Sequence, residues 1–149
     1  MNTIQALDRS RRYREIADWF EQLSPQTLNN IEQIYAPSTR FIDPFNDLNG
    51  CCDTRRVFQH MFDTLDAPRF VVKRIASNGS SGFMTWDFYF SLKGRAQSIS
   101  GCTEFELNDE GLIVLHRDYW DAAAQVYEQI PVLGAIVRYL RRKLALPSS

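Results

Sequence analysis

The chain reads as an α+β domain, helices first and an antiparallel sheet after them. Three observations predict this. Apolar residues recur at helical spacing through the first 65 positions, long runs of alternating apolar and polar residues follow from Arg69 to Tyr119, and short turn signals join those runs.

Tyr13, Ile16, Ala17, Phe20 and Leu23 share one helical face, which predicts a first helix over 13–23. Ser24-Pro25 stops it and starts a second: Ser24 suits a cap, Pro25 the first helical position, and Leu28, Ile31, Ile34 and Tyr35 form the stripe. Ala36-Pro37 is expected to end that helix. Thr39 to Asp43 reads as a brief strand, with Pro44 marking where regular pairing stops or where the strand forms an edge. Asn46-Asp47-Leu48-Asn49-Gly50 is rich in turn formers and reads as a loop. From about Asp53, the positions Val57, Phe58, Met61, Phe62 and Leu65 predict a third helix closed by Ala67-Pro68.

The sheet is expected to run as Arg69–Ile75, Phe83–Lys93, Ala96–Leu107 and Leu112–Tyr119, joined by turns at 77–82, 93–95 and 108–111. Met84, Trp86, Phe88 and Phe90 fall on one face of the second of these strands, and Ile99, Gly101, Thr103, Phe105 and Leu107 continue that face on the third. After Asp121, Ala122 to Tyr127 is helix-forming and Pro131 breaks it. A basic amphipathic helix is expected over 132–146, with Ile136, Val137, Leu140 and Leu144 set against Arg138, Arg141, Arg142 and Lys143.

With 149 residues and 44% hydrophobic content, one sizeable core is expected, hence a single domain over 1–149. Seventeen basic and eighteen acidic residues nearly cancel, which argues against a field that would hold nucleic acid. No stretch reaches the roughly 20 apolar residues of a membrane span and the N-terminus lacks a signal-peptide core, so a cytoplasmic location is expected. Cys51, Cys52 and Cys102 fit neither a disulfide framework nor a zinc site and read as reduced thiols. No His, Cys or carboxylate spacing suggests a metal, and no Gly-rich loop suggests a nucleotide, so neither cofactor is expected.

Two stretches set titratable groups where a strand calls for hydrocarbon. Asp43 shares its face with Phe41 and Phe45; His116 and Asp118 share theirs with Val114 and Trp120. Burial of such groups costs free energy unless compensated, so Asp43, His116 and Asp118 are the candidate acid–base residues of an apolar pocket. Phe45, Phe58, Trp86, Phe88 and Trp120 are its candidate walls. Each has a plainer reading: Asp43 as the cap of a turn through Asn46, His116 as a structural hydrogen bonder, Asp118 as the partner of a cross-sheet arginine such as Arg74, and the aromatics as core.

The order of elements, the Phe41-Ile42-Asp43-Pro44 strand followed by Gly50, and the Phe105-to-Val114 hairpin resemble the nuclear transport factor 2-like superfamily, and within it SnoaL-like and ketosteroid isomerase-like proteins. The resemblance implies a cone-shaped, partly closed barrel that admits a small hydrophobic molecule, and a homodimer. It matches the Asp-Pro general base of ketosteroid isomerase to Asp43 and places Trp19 and Thr103 where that enzyme keeps its oxyanion donors. It also implies a base from the late sheet, where polyketide cyclases of the group use a carboxylate and where His116 or Asp118 lies here. The Asp-Arg-Asp arrangement of limonene epoxide hydrolase is a further comparison through Arg117 and Asp118, although adjacent strand residues face opposite ways.

The function expected is binding of a small hydrophobic ligand, with cofactor-independent isomerisation, cyclisation or dehydration as the chemistry and a non-catalytic binding or interaction module as the alternative. The basic tail suits a lid or a subunit contact better than a membrane surface. The outer sheet face with Asp87, Tyr89, Arg117 and Tyr119 suits a dimer contact.

Overall fold

The computed structural model describes residues 3–125, 135, 136, 138 and 139. The chain divides into two compact units, Met1–Tyr119 and Trp120–Ser149. In the first, helix α1 spans Thr3–Glu21 and a 3₁₀ helix spans Thr27–Gln33. Strand β1 (Tyr35–Ile42) and the short β2 (Asp47–Asn49) precede helix α2 (Cys51–Thr64). Four strands follow: β3 (Asp66–Asn78), β4 (Ser81–Leu92), β5 (Arg95–Leu107) and β6 (Ile113–Trp120). They make one curved, open sheet in the order β2-β1-β6-β5-β4-β3, so β2 and β3 remain edges and the barrel does not close. The mixed α+β architecture is the expected one.

The meander β3 to β6 follows from the alternation already described. Met84, Trp86, Phe88, Ile99, Thr103, Phe105 and Leu107 are all buried, while Phe83, Thr85, Ser98 and Ser100 on the opposite face are exposed. α1 contributes Tyr13, Ile16, Ala17 and Phe20 to the same core, at the spacing of one helical face, and Phe58 of α2 joins them. Tyr13 lies against Gly82, where a Cβ would come within 2.4 Å of its ring, and its hydroxyl donates to Ser80 O at 2.6 Å.

Three local expectations are corrected. The second helix is a short 3₁₀ element, and Tyr35, Ala36 and Pro37 belong to β1 instead. Pro37 is accommodated because the parallel pairing of β1 with β6 is irregular between Tyr35 and Arg40, where no ladder N–H is required of it. Ala67-Pro68 lies inside β3, not at a helix end. The β3–β4 register shifts between Asp66 and Arg69, and Ala67 takes a positive φ of 48° there. The Asn46–Gly50 stretch is not all loop: β2 pairs antiparallel with Arg40–Ile42, supported by a two-point contact of Arg40 with Asp47 at 2.9 and 2.7 Å. Gly50 then enters α2 at φ 101°, a backbone conformation that favours glycine.

In the second unit, the Asp121 carboxylate accepts from Ala124 N at 2.9 Å and caps the short helix α3 (Ala122–Gln125). The expected basic helix over 132–146 lies largely outside the described residues; Ile136, Arg138 and Tyr139 are described and exposed. Among the described residues, no helix is long and apolar enough to cross a membrane.

Candidate functional site

The sheet face under α1 and α2 closes around a small internal space of about 20 Å³ lined by Phe20, Phe58, Phe70, Val72, Met84, Trp86, Thr103, His116 and Asp118. α1 supplies Phe20 and α2 supplies Phe58. β3 to β6 supply the rest, because alternation sends Phe70 and Val72, Met84 and Trp86, Thr103, and His116 and Asp118 to one side. That volume holds about one water molecule. Two larger clefts, of about 450 Å³ along α1 and β3 and about 510 Å³ along α2 and β2, are open and lined mainly by charged and polar side chains. The small space, less open than the clefts, is the more informative, because polar groups removed from water interact more strongly than solvated ones.

Its polar groups form one connected chain. Trp86 Nε1 lies 2.8 Å from Thr103 Oγ1, and Thr103 Oγ1 donates to Asp118 Oδ1. The same carboxylate oxygen lies 2.8 Å from His116 Nε2, and His116 Nδ1 lies 2.8 Å from the Tyr35 hydroxyl. Tyr35 is fully buried, His116 is 2% exposed and Thr103 3%. Burial, reinforced by the nearby Asp118, pushes the Tyr35 hydroxyl well above its usual range, so it remains a protonated donor. Phe20, Phe41, Phe58 and Phe105 pack their rings against the imidazole at centroid distances of 4.5 to 6.4 Å.

Of the residues singled out from sequence, Phe58, Trp86, Thr103, His116 and Asp118 meet at this space. Asp118 pairs with Thr103 and His116 rather than with Arg74. Asp43 is placed elsewhere: beyond the end of β1 its carboxylate accepts from Phe45 N and Asn46 N at 2.7 Å each and from Asn46 Nδ2 at 3.1 Å, the arrangement of a turn cap. Phe45, on the same turn, is 56% exposed.

Phe88 is buried and stacks on Phe70 at 4.5 Å without lining the space. Trp19 packs edge-on against Tyr35 and Phe58, and its Nε1 is buried with no partner among the described residues. Trp120, the last residue of β6, is the first residue of the second unit. Arg117, pointing to the other face as expected, does not line the space; it stands opposite Ile42 in the register.

The residue that sequence reasoning missed is Tyr35, whose spacing after Leu28, Ile31 and Ile34 suits a helical stripe. The Pro37 two positions later is a signal that favours extended backbone just before it, and would have pointed to a strand. Burial raises the Cys51 and Cys102 thiols above their usual range, as suits structural thiols. Among the described residues, no three His, Cys, Asp or Glu side chains are grouped to hold a metal ion.

An open, curved six-stranded sheet with helices packed on it is an α+β fold of the nuclear transport factor 2-like and ketosteroid isomerase-like kind. Residues 16–116, about two thirds of the chain, match the SnoaL-like domain model, and the chain belongs to that family. No curated protein matches it.

Among solved structures it is similar to a Mycobacterium tuberculosis epoxide hydrolase of the LEH-like type, with 15% identity, 94% of this chain and 96% of that one covered, and a TM-score of 0.66. It is also similar to a protein of Jannaschia sp. CCS1 provisionally named a SnoaL-like polyketide cyclase, with 15% identity, 78% and 87% covered, and a TM-score of 0.67. A third similar structure is an NTF2-like protein of unknown function from Burkholderia pseudomallei K96243, with 15% identity, 79% and 94% covered, and a TM-score of 0.68. At these identities the likeness is one of fold.

Proposed function

We propose that the protein binds a small, largely apolar molecule between α1, α2 and the sheet, and acts on it by cofactor-independent acid–base chemistry. Isomerisation, cyclisation and dehydration are the reaction types that fit. The observation that carries this reading is the Asp118 carboxylate at the apolar space. Its Oδ1 takes bonds from both Thr103 and His116, while its Oδ2 has no hydrogen-bond partner among the described residues. Oδ2 is therefore the oxygen available to accept a proton from a ligand, in a setting walled by Phe20, Phe58, Phe70 and Trp86. The ligand that suits it is neutral, with an acidic C–H or a single donor group, since an anion would be repelled by Asp118.

Family membership and the likeness to a structure provisionally named a polyketide cyclase support the reading without specifying a substrate. A second reading, a non-catalytic binding or interaction module, is favoured by the size of the space: at about 20 Å³ it takes a ligand only if side chains such as half-buried Phe70 and Val72 move aside.

Native mass spectrometry of protein purified from its host tests the first reading. A retained apolar molecule is expected, and turnover of that molecule by the wild-type chain should fall at least about 100-fold in Asp118→Asn, the low end for a general acid–base group. Binding without turnover, or near-normal turnover in the variant, would assign Asp118 a structural role.

A further inference from the structure

From the hydrogen-bond directions in the buried chain we infer that Tyr35 and His116 are positioning residues that hold Asp118, with His116 present as the neutral Nε2–H imidazole and never in contact with the ligand through a ring nitrogen. The functional importance of this arrangement rests on the acid–base reading of Asp118; the proton arrangement itself does not.

The argument starts from both ends of the chain. An indole nitrogen donates and cannot accept, so Trp86 Nε1 must give its proton to Thr103 Oγ1. Thr103 then directs its own hydrogen at Asp118 Oδ1, which makes that oxygen an acceptor. At the other end, Tyr35 is fully buried, and among the described residues its hydroxyl has one acceptor in reach, His116 Nδ1 at 2.8 Å. A buried hydroxyl hydrogen left without an acceptor is costly, so Nδ1 must be the unprotonated nitrogen. The ring proton then sits on Nε2 and points at Asp118 Oδ1, 2.8 Å away. The Thr103 end makes Oδ1 an acceptor, so Nε2 must donate to it, and the Tyr35 end leaves Nδ1 bare; the two are consistent, with Thr103 and His116 both donating to one carboxylate oxygen.

Two consequences follow. Both imidazole nitrogens are engaged by protein groups, so His116 has none to offer a ligand, which revises its expected role as a base. The carboxylate is held through Oδ1 from two sides, which orients Oδ2. A carboxylate fixed in this way loses less rotational freedom when it meets a ligand, which is how supporting contacts contribute to a site.

Nitrogen-15 NMR of the uniformly labelled full chain at neutral pH, without ligand, tests this, since His60 and His116 are its two histidines. The expected result is a His116 ring with Nε2 protonated and Nδ1 bare; a proton on Nδ1, or on both nitrogens, overturns the inference. In Tyr35→Phe, the Nδ1 resonance should move toward that of a bare nitrogen without a donor, whereas an unchanged resonance would show that Tyr35 does not hold it. Should that variant not fold, the wild-type tautomer alone decides. Neither readout requires turnover, so a correct tautomer together with normal turnover in Asp118→Asn would separate failure of the catalytic reading from failure of this one.

Discussion

The Trp86 ring lies against Gly101, its partner in the β4–β5 register, and donates from Nε1 to Thr103 Oγ1 two residues further along the same strand. A Cβ on residue 101 would come within 2.4 Å of the indole carbon Cη2, so the absence of a side chain there sets where the indole lies. The glycine is thus a spacer for the polar chain as well as for the core. Gly101→Ala should destabilise the fold by about 1–3 kcal/mol, the usual cost of overpacking. Because the indole must shift, the near-ultraviolet circular dichroism should change with it. An unaltered spectrum and unaltered denaturation midpoint would show that Trp86 is not held by this contact.

Thr103 accepts from one neighbour and donates to another, so removing its hydroxyl takes a partner from both the buried Trp86 Nε1 and the half-buried Asp118 carboxylate. Thr103→Val should cost about 1–3 kcal/mol in denaturant unfolding, while Thr103→Ser, which keeps the hydroxyl, should cost distinctly less. Equal losses in the two variants would mean that the γ-methyl, not the hydroxyl, carries the effect.

Asp43 and Asp118 are predicted to separate by experiment. The Asp43 carboxylate serves the 43–46 turn, so Asp43→Ala should lower stability by about 1–2 kcal/mol while leaving ligand retention and turnover near normal. Parallel turnover measurements on Asp43→Ala and Asp118→Asn check this. A 100-fold loss in the Asp43 variant would return that residue to the mechanism.

Alkaline pH should weaken the fold through Tyr13. Burial, and secondarily the Glu106 charge, raise its hydroxyl to about 12 from the 10.0 usual for tyrosine, with Arg9 opposing. Below pH 10.0 the phenol is neutral in both folded and unfolded chains, so its contribution is fully present. Above that the unfolded chain ionises first, and stability falls by up to about 1.4 kcal/mol per pH unit until the folded phenol also ionises. Urea titrations between pH 9 and 12 should show this slope, and Tyr13→Phe should flatten it. An equal slope in the variant would assign the alkaline loss to other groups.

How much was legible beforehand depends on the range over which each feature is encoded. Alternation along β4, β5 and β6 is a local property of consecutive residues, so it indicated which face would be buried and that His116, Asp118 and Thr103 would point into it. The helices bearing Phe20 and Phe58 were legible for the same reason. Tyr35 was not, because a stripe of Leu28, Ile31, Ile34 and Tyr35 suits a helix by spacing, whereas the chain uses its end to begin a strand alongside β6. Asp43 was ambiguous, since an acid before a turn and an acid lining a pocket look alike in one dimension.

The sequence by itself determined the α+β class, the family, and the apolar surface with two titratable side chains, His116 and Asp118, upon it. Only the tertiary structure decided which polar atoms meet. Tyr35 and His116 are 81 positions apart, and His116 and Thr103 converge on Asp118 from neighbouring strands. Periodicity specifies the side of an element on which a group lies; hydrogen bonds of 2.8 Å depend on register and on the approach of elements, and both are settled only when the core closes.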